Sequence, residues 1–181
     1  FDSTFSRDET VGLAGFSGRQ SAVRFPGVEG RFTPDETGKD RHIVDTFNLK
    51  PGYIIITGNG LPHKNLGVIL SCVHETDREF VFVGVPPVNR KYWQYHDAFK
   101  EVRWLDFVSD DDLPVLLRQA FCLVQPSRLE GYGYPSLEAM ACGTPAIVSG
   151  IDVLRETTGD QALTADTDSP EEWIDAIAML E

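Results

Sequence analysis

The densest run of side chains and backbone that could bind a ligand is QPSRLEGYGYPSLE, residues 125–138. Its two glycines leave the backbone exposed and flexible, and Pro135 is typical of the first turn of a helix. The free N–H groups at a helix start attract anions. Glu130 and Glu138 flank this start, and carboxylates repel phosphate but accept hydrogen bonds from sugar hydroxyls. Phosphate-binding amides beside hydroxyl acceptors suit a sugar linked to a diphosphate.

A structural interpretation of the same carboxylates stays open at this point. Glu138 would favour the dipole of the helix that Pro135 begins, in its first turn, and Glu130 would simply be solvated. The residue types alone do not separate this interpretation from ligand binding.

A second candidate loop is GNGLPHK, residues 58–64. Glycines let backbone N–H groups approach a ligand, and Lys64 at the start of a predicted helix would offer a phosphate both charge and dipole. The run matches neither GxxxxGK[ST] nor GxGxxG, so a plain surface turn is the alternative. His63 is more typical of a loop histidine than of a catalytic one.

Both loops follow predicted strands in a chain that alternates apolar and helical segments. The predicted strands are Tyr53–Thr57, Glu79–Gly84, Val102–Leu105, Phe121–Gln125 and Pro145–Ser149. The predicted helices are Lys64–Glu75, Asp112–Ala120, Pro135–Cys142 and Ser169–Leu180. This alternation predicts an α/β fold with a doubly wound, mostly parallel, Rossmann-like sheet. Ligands of such sheets bind outside the carboxyl ends of the strands, where both loops would lie.

Composition narrows the function classes. The 181 residues have a net charge of −12, which argues against a nucleic-acid partner. Residues 150–181 contain nine acidic residues and a single basic one, Arg155, a pattern typical of a solvated surface. The apolar runs are far shorter than the ~18 residues of a membrane span. The three cysteines stand apart from one another, which predicts buried thiols rather than a zinc site.

Two acidic motifs invite a metal-site interpretation, and both are better explained otherwise. Asp166-Thr167-Asp168 imitates a metal-binding Asp-x-Asp but directly precedes a predicted helix cap, so we expect a turn. The triplet at residues 110–112 is expected to place charge at a helix start. We therefore predict no metal.

Taken together, these motifs resemble the nucleotide-sugar-dependent glycosyltransferases of group 1 (family 4), whose GT-B fold has two facing Rossmann-like domains. The strongest part is PSRLEGYGYPSLEAMACGTPAIV, residues 126–148, which has the family's two glutamates at the family's spacing. Residues 24–28 followed by residues 32–34 resemble the crossing between the two domains, and residues 58–65 are similar to the phosphate loop. WLDFVSDDDL, residues 104–113, resembles the segment that lies against the nucleotide base.

The resemblance implies one half of a GT-B architecture, the carboxyl-terminal, donor-binding half of a retaining enzyme. It would be of the hexosyltransferase type and would move a sugar from a UDP- or GDP-sugar to a glycan or lipid-linked acceptor. Residues 1–50 would be a remnant of the amino-terminal domain and the inter-domain linker, and residues 51–181 the nucleotide-sugar-binding domain.

The same resemblance sets expectations about partners and location. The acceptor domain of the same chain would be missing, so this half would bind the donor without turning it over. No cofactor or metal is implied. The location would be cytoplasmic, and peripheral association with the inner face of the membrane stays open for the full protein.

The resemblance also implies residue roles. Glu138 would hold the ribose hydroxyls, and Glu130 would lie against the transferred sugar. Lys64 and the backbone amides around Gly133, Tyr134 and Pro135 would hold the diphosphate, and Lys64 would form the catalytic pair with Glu130. Backbone at Phe107 and Val108 would read the base. The other implied donor-binding residues are Gly58, Asn59, Gly131, Tyr132, Gly133, Tyr134, Pro135, Ser136 and Leu137.

The sequence departs from the family in two places. Many members have an arginine where this chain has Asn59, and the usual Gly-Phe-Gly has Tyr132 at its centre. The loss of one positive charge leaves a non-catalytic nucleotide-sugar-binding module as an alternative. A sugar-nucleotide hydrolase or epimerase of the same fold is a second one, and His63 is its only candidate acid or base.

Overall fold

The computed structural model describes residues 1–14 and 21–181, and its centre is a six-stranded sheet with the strand order β3-β2-β1-β4-β5-β6. The strands are β1 Ile54–Thr57, β2 Phe80–Val83, β3 Arg103–Leu105, β4 Cys122–Gln125, β5 Ala146–Ser149 and β6 Leu163–Ala165. Every neighbouring pair is parallel. The predicted doubly wound parallel sheet is therefore confirmed.

Helices cover both faces of this sheet. They are α1 Thr4–Ala14, α2 Asp40–Thr46, α3 Leu66–Leu70, α4 Pro87–Arg90, α5 Leu113–Gln119, α6 Tyr134–Ala141, α7 Asp152–Thr158 and α8 Pro170–Ala178. The predicted helices near α5, α6 and α8 are confirmed with ends displaced by one or two residues. At α8 the Ser169 hydroxyl accepts from the N–H of Glu172, as its capping sequence indicates.

The helix predicted over residues 64–75 is wrong in its extent. The structure divides it into a 3₁₀ turn at Pro62–Lys64, the short α3 and a second 3₁₀ turn at Val73–Glu75. Asn65 interrupts the run because its backbone is left-handed, with φ 53°. Its Nδ2 donates to the carbonyl of Thr167 at 2.7 Å, so a distant contact overrides the helical periodicity.

The sequence analysis missed α1, α2, α4, α7 and β6. The last of these strands is three residues long and lies at the edge of the sheet, with Thr164 exposed. Such a strand has too few apolar positions to stand out as a buried run. The three predicted buried thiols, by contrast, are confirmed as free and buried at Cys72, Cys122 and Cys142.

The core lies on both faces of the sheet because successive strand residues point in opposite directions. Ile54 and Ile56 pack with α3 and α8, whereas Tyr53 and Ile55 pack with α5, α6 and α7. All four side chains are at most 1% exposed. Burial on both faces explains why β1 is a continuous apolar run.

The stretch before residue 50 contributes to this core. Phe32, Val44 and Leu49 are buried in the cluster beneath α5 and α6. The domain division at residue 50 stays a prediction.

One buried ion pair fastens that stretch to the sheet domain. The Arg118 guanidinium on α5 donates to both carboxylate oxygens of Asp40 on α2, at 2.9 and 3.1 Å, and to the carbonyl of Thr33 at 3.2 Å. The two side chains are 6% and 5% exposed. Burial raises the pKa of Asp40, but the hydrogen bonds from Arg118 and Thr37 outweigh it and hold this pKa below its ordinary 3.8.

Breaking this pair from one side should strongly destabilise the fold. We expect Asp40→Asn to lower the free energy of unfolding by about 3–5 kcal/mol, because it leaves a buried guanidinium without its counter-charge. The double substitution Asp40→Leu with Arg118→Met should recover most of that loss. Urea unfolding of each variant measures both effects.

A surface pair serves as the control. Arg103 and Glu79 lie 3.2 Å apart with side chains 38% and 35% exposed. We expect Arg103→Met to change stability by about 0–1 kcal/mol. For the buried pair, the single variants Asp40→Leu and Arg118→Met complete the comparison with the double variant. If their losses of stability simply add in the double variant, the two side chains are not coupled.

Candidate functional site

The strand order reverses between β1 and β4, which are neighbours in the sheet although two strands separate them along the chain. In open α/β sheets the ligand crevice opens at such a reversal, outside the carboxyl ends of the strands. The loops at residues 58–64 and 126–133 leave β1 and β4 at this point. They are joined directly, since the N–H of Arg128 donates to the carbonyl of His63 at 2.8 Å.

Lys64 and Glu130, the predicted catalytic pair, meet in this crevice. Nζ of Lys64 lies 2.6 Å from Oε1 of Glu130. The same oxygen accepts from the hydroxyl of Ser127 at 2.7 Å and from Nε2 of Gln125 at 2.9 Å. The side chains of Lys64 and Glu130 are 16% and 10% exposed. No donor from the described residues reaches Oε2, so this second oxygen is free to accept from a ligand.

The three donors set the protonation state of Glu130. Burial raises its pKa, but the hydrogen bonds from Lys64, Ser127 and Gln125 and the lysine's charge outweigh burial, so the pKa lies below its ordinary 4.5. The carboxylate is therefore ionised at neutral pH. It can act as a hydrogen-bond acceptor and as a negative charge, but not as an acid.

Gln125 connects this carboxylate to α6. While its Nε2 donates to Glu130, its Oε1 accepts from the backbone N–H of Ser136 at 3.1 Å. Its side chain is buried, as is that of Ser127. The sequence analysis missed both as site residues. A signal was present, because a glutamine that ends an apolar strand must find partners when it is buried.

The start of α6 is where the sequence predicts an anion site. Gly133 precedes it with φ 98°, and a Cβ there would lie 2.3 Å from Cδ2 of Leu154, so glycine is required for two reasons. Within the described part of the chain, the N–H groups of Gly131, Tyr132, Gly133 and Tyr134 donate to no acceptor. Four consecutive free N–H groups, three in the loop that leads into α6 and one at its first residue, are suited to bind an anion.

Two other predicted positions in this segment contribute differently. Pro135 has no N–H, and both donors of Ser136 are used internally, its N–H by Gln125 and its hydroxyl by the carbonyl of Gly133 at 2.9 Å. Ser136 is fully buried, and Leu137 is half-buried. The structure thus gives these residues a role in shaping the start of α6.

Aromatic side chains line the same loop. Tyr132 is buried, with its hydroxyl donating to the carbonyl of Pro26 at 3.1 Å and its ring centroid 6.5 Å from that of Phe25. Tyr134 is exposed, and its ring centroid lies 5.1 Å from that of Tyr132. The predicted crossing segment therefore packs against the predicted donor loop.

Glu138 is the fifth residue of α6, one residue further along the helix than predicted and so just past the first turn. Its side chain is half-buried and has no hydrogen-bond partner among the described residues. Burial raises its pKa, the negative charges of Glu29 and Asp110 raise it further, and Arg31 opposes them. A half-buried carboxylate without a partner is available to ligand hydroxyls.

The loop after β1 is held by residues that the sequence analysis missed. Nε1 of Trp93 donates to the carbonyl of Gly60 at 2.7 Å, and Nδ2 of Asn89 donates to the carbonyl of Asn59 at 2.7 Å. Asn59 itself is exposed, and its Oδ1 accepts from the N–H of Leu61. A Cβ on Gly58 would lie 3.7 Å from the stem of Lys64, so that loop and lysine are in close contact.

The predicted base-reading residues follow β3, two strands away from the reversal. The side chain of Phe107 is 80% exposed, and Val108 is half-buried against the core. Their role in base recognition stays a prediction.

The acidic motifs behave as turns and helix starts. Residues 167–168 form a turn in which the N–H of Asp168 donates to Oδ1 of Asp166 at 2.8 Å. Asp112 precedes α5. Across residues 1–14 and 21–181, no group of three or more His, Cys, Asp or Glu side chains is placed to hold a metal ion. Those residues also include no helix that is long and apolar enough to cross a membrane.

Comparison with known proteins connects this geometry to a family. The family model for glycosyl transferases group 1 matches residues 39–181. The O-antigen chain mannosyltransferase B of Escherichia coli is 29% identical over 97% of this chain and 48% of its own length. The O-antigen chain mannosyltransferase RfbU of Salmonella typhimurium is 42% identical over 45% of this chain and 23% of its own length. The chain thus spans half or less of the length of these relatives.

Solved structures agree in fold. Sucrose-phosphate synthase from Thermosynechococcus elongatus superposes with a TM-score of 0.79 at 18% identity, covering 98% of this chain and 47% of its own. The C-terminal domain of a glycosyl transferase group 1 family protein, LpcC, from Francisella tularensis has a TM-score of 0.62 at 20% identity, covering 85% of this chain and 87% of its own. With the family model matching most of its length, this chain belongs to the group 1 glycosyltransferases.

Proposed function

We propose that this chain is the donor-binding half of a retaining glycosyltransferase that transfers a hexose from a nucleotide diphosphate sugar. The observation that supports this most directly is the meeting of Lys64 and Glu130 beside the free N–H groups that precede α6. A cation and oriented amides suit a diphosphate, and a carboxylate with one free oxygen suits a sugar hydroxyl.

In this proposal the diphosphate is both a binding handle and the leaving group. Negative charge grows on it as the bond to the sugar breaks. Lys64 and the N–H groups of residues 131–134 would stabilise that charge without a metal, because they are already oriented before the reaction. Glu130 would orient the transferred sugar through Oε2, and Glu138 would accept from the ribose hydroxyls. No cofactor is required.

The relatives' names indicate which sugar and acceptor to test first. Two of them are named O-antigen chain mannosyltransferases, so we propose a mannosyl donor and a glycan or lipid-linked acceptor. The acceptor would be bound by a further domain, since the chain covers 48% of the Escherichia coli relative. The reaction would be cytoplasmic, at the inner face of the membrane where the acceptor is lipid-linked.

Calorimetry with UDP, GDP, ADP and their common sugar conjugates, with and without magnesium, tests the donor site. We expect one diphosphate to bind selectively, with an affinity that magnesium leaves unchanged. Failure of all of them to bind would contradict the proposal that this half holds the donor. Binding that requires magnesium would contradict the assignment of the charge-stabilising role to Lys64 and the amides.

Two substitutions separate the proposed roles of the charged residues. Lys64→Ala should weaken GDP about tenfold to a hundredfold while changing guanosine little, because one charge-assisted contact to the diphosphate is lost. Glu138→Ala should weaken both ligands, because both contain the ribose. Lys91→Ala, which removes an exposed lysine outside the crevice, is the control. If the parent and the three variants bound GDP and guanosine with equal affinities, these assignments would be ruled out.

The raised pKa of Glu138 predicts a pH dependence. The ionised carboxylate is the better acceptor, so affinity for guanosine should fall as pH drops through this pKa, which lies above the ordinary 4.5. Guanosine has no phosphate to titrate in this range. Glu138→Gln should bind it with a weaker but pH-independent affinity. The affinity for guanosine is measured by calorimetry as a function of pH. If the parent and the variant depended on pH in the same way, Glu138 would not contact the ribose.

A further inference from the structure

We propose that Gln125 is a positioning residue that sets the distance between the transferred sugar and its leaving diphosphate. For its ligand this inference rests on the donor-binding function proposed above. Gln125 is the one side chain in the described residues that bonds both to Glu130, beside the sugar, and to α6, beside the diphosphate. It is 3% exposed, so water does not compete for either bond.

The two partners of Gln125 leave its amide a single orientation. The ionised Glu130 can only accept, so it must face the NH₂ group, and the N–H of Ser136 can only donate, so it must face the carbonyl oxygen. The reversed amide would place two acceptors together and two donors together. The side chain is therefore locked at both ends by partners of opposite kind.

This lock acts on the reacting groups in two ways. At one end, Nε2 of Gln125 donates to Oε1 of Glu130, the same oxygen that accepts from Lys64 and Ser127, so Oε2 is left for a ligand. At the other end it occupies the N–H of Ser136, so that anion binding falls to the free N–H groups of residues 131–134. Both ends belong to one planar amide group, which the two hydrogen bonds hold at the end of β4. The sugar-binding oxygen and the diphosphate-binding amides are therefore held at one separation.

Substitution of Gln125 tests this in the chain as it stands. Gln125→Met keeps the length of the side chain but makes neither hydrogen bond. Without donor, we expect the Ser136 N–H to exchange with solvent at least about tenfold faster and the pKa of Glu130 to rise, measured by NMR. With donor, we expect affinity for GDP-mannose to fall about tenfold further than affinity for GDP, measured by calorimetry.

Gln125→Glu adds a readout that general loosening would not produce. When protonated, the new carboxyl group can donate to Glu130 and accept from Ser136, as the amide does. When ionised, the new carboxylate would repel that of Glu130, because its oxygen would replace Nε2, which now lies 2.9 Å from Oε1 of Glu130. Lys64 is the cation that contacts Glu130 at this point. Two such carboxylates share one proton. Relative to the parent at the same pH, which cancels the titration of Glu138, the variant's affinity for GDP-mannose should therefore approach equality at low pH and decline as pH rises.

The control is Thr144→Val, which removes another buried hydrogen bond, from the Thr144 hydroxyl to the carbonyl of Leu117 at 2.6 Å. Thr144 precedes β5 at its amino end, whereas the crevice lies at the carboxyl ends of the strands. It should leave Ser136 exchange and the ratio of the GDP and GDP-mannose affinities unchanged.

The outcomes separate this inference from the proposed function. Unchanged Ser136 exchange and Glu130 titration in Gln125→Met would overturn the positioning role, whatever the donor does. So would equal losses for GDP and GDP-mannose, or equal effects in Thr144→Val. Changes in exchange and titration together with a parent protein that binds neither ligand would support the positioning of Glu130 and α6 and contradict the nucleotide-sugar function.

Discussion

One carboxylate oxygen, Oε1 of Glu130, is the point on which the rest of the crevice depends. It accepts three hydrogen bonds, from Lys64 after β1, from Gln125 at the end of β4 and from Ser127 in the following loop. A carboxylate with 10% of its side chain exposed is strongly unfavourable unless it is paired and hydrogen-bonded. Its ionised state therefore requires β1, β4 and both loops to hold their places together. The strand-order reversal makes this possible, because it brings the carboxyl ends of β1 and β4 side by side.

The same loop is braced from outside the sheet by the beginning of the chain. The hydroxyl of Ser6 donates to the carbonyl of Gly131 at 2.8 Å. Glu156 on α7 accepts from the N–H groups of Thr4 and Phe5 at 2.7 and 3.0 Å, which holds the start of α1 beside that loop. Tyr132 adds a contact to the predicted crossing segment. The conformation of the loop that leads into α6 is thus supported by contacts from Ser6 and Pro26, both near the start of the chain.

Sequence patterns predicted what depends on local chemistry and failed where distant contacts decide. Continuous apolar runs located β1, β2 and β4 within one residue at each end, because strands buried on both faces must be apolar throughout. The glycine and proline spacing located the start of α6. The break at Asn65 was not predictable, because it depends on a hydrogen bond to Thr167, over a hundred residues further along the chain. Gln125 was missed for a related reason, since its importance lies in joining Glu130 to the N–H of Ser136, and the sequence does not show which partners it finds.

The charge balance of the crevice shows why oriented backbone dipoles matter here. Lys64 is already paired with Glu130, so together they offer an incoming diphosphate little net positive charge. Asn59, where many family members have arginine, adds none. In a chain with a net charge of −12, a long-range field does not attract the donor either. Under the proposed function, the attraction beyond the direct contact with Lys64 must come at short range, from the free N–H groups of residues 131–134 and from the partial positive charge of the start of α6. Such groups need no reorganisation when charge develops on the leaving group, which makes their rigid placement more important than the number of cations nearby.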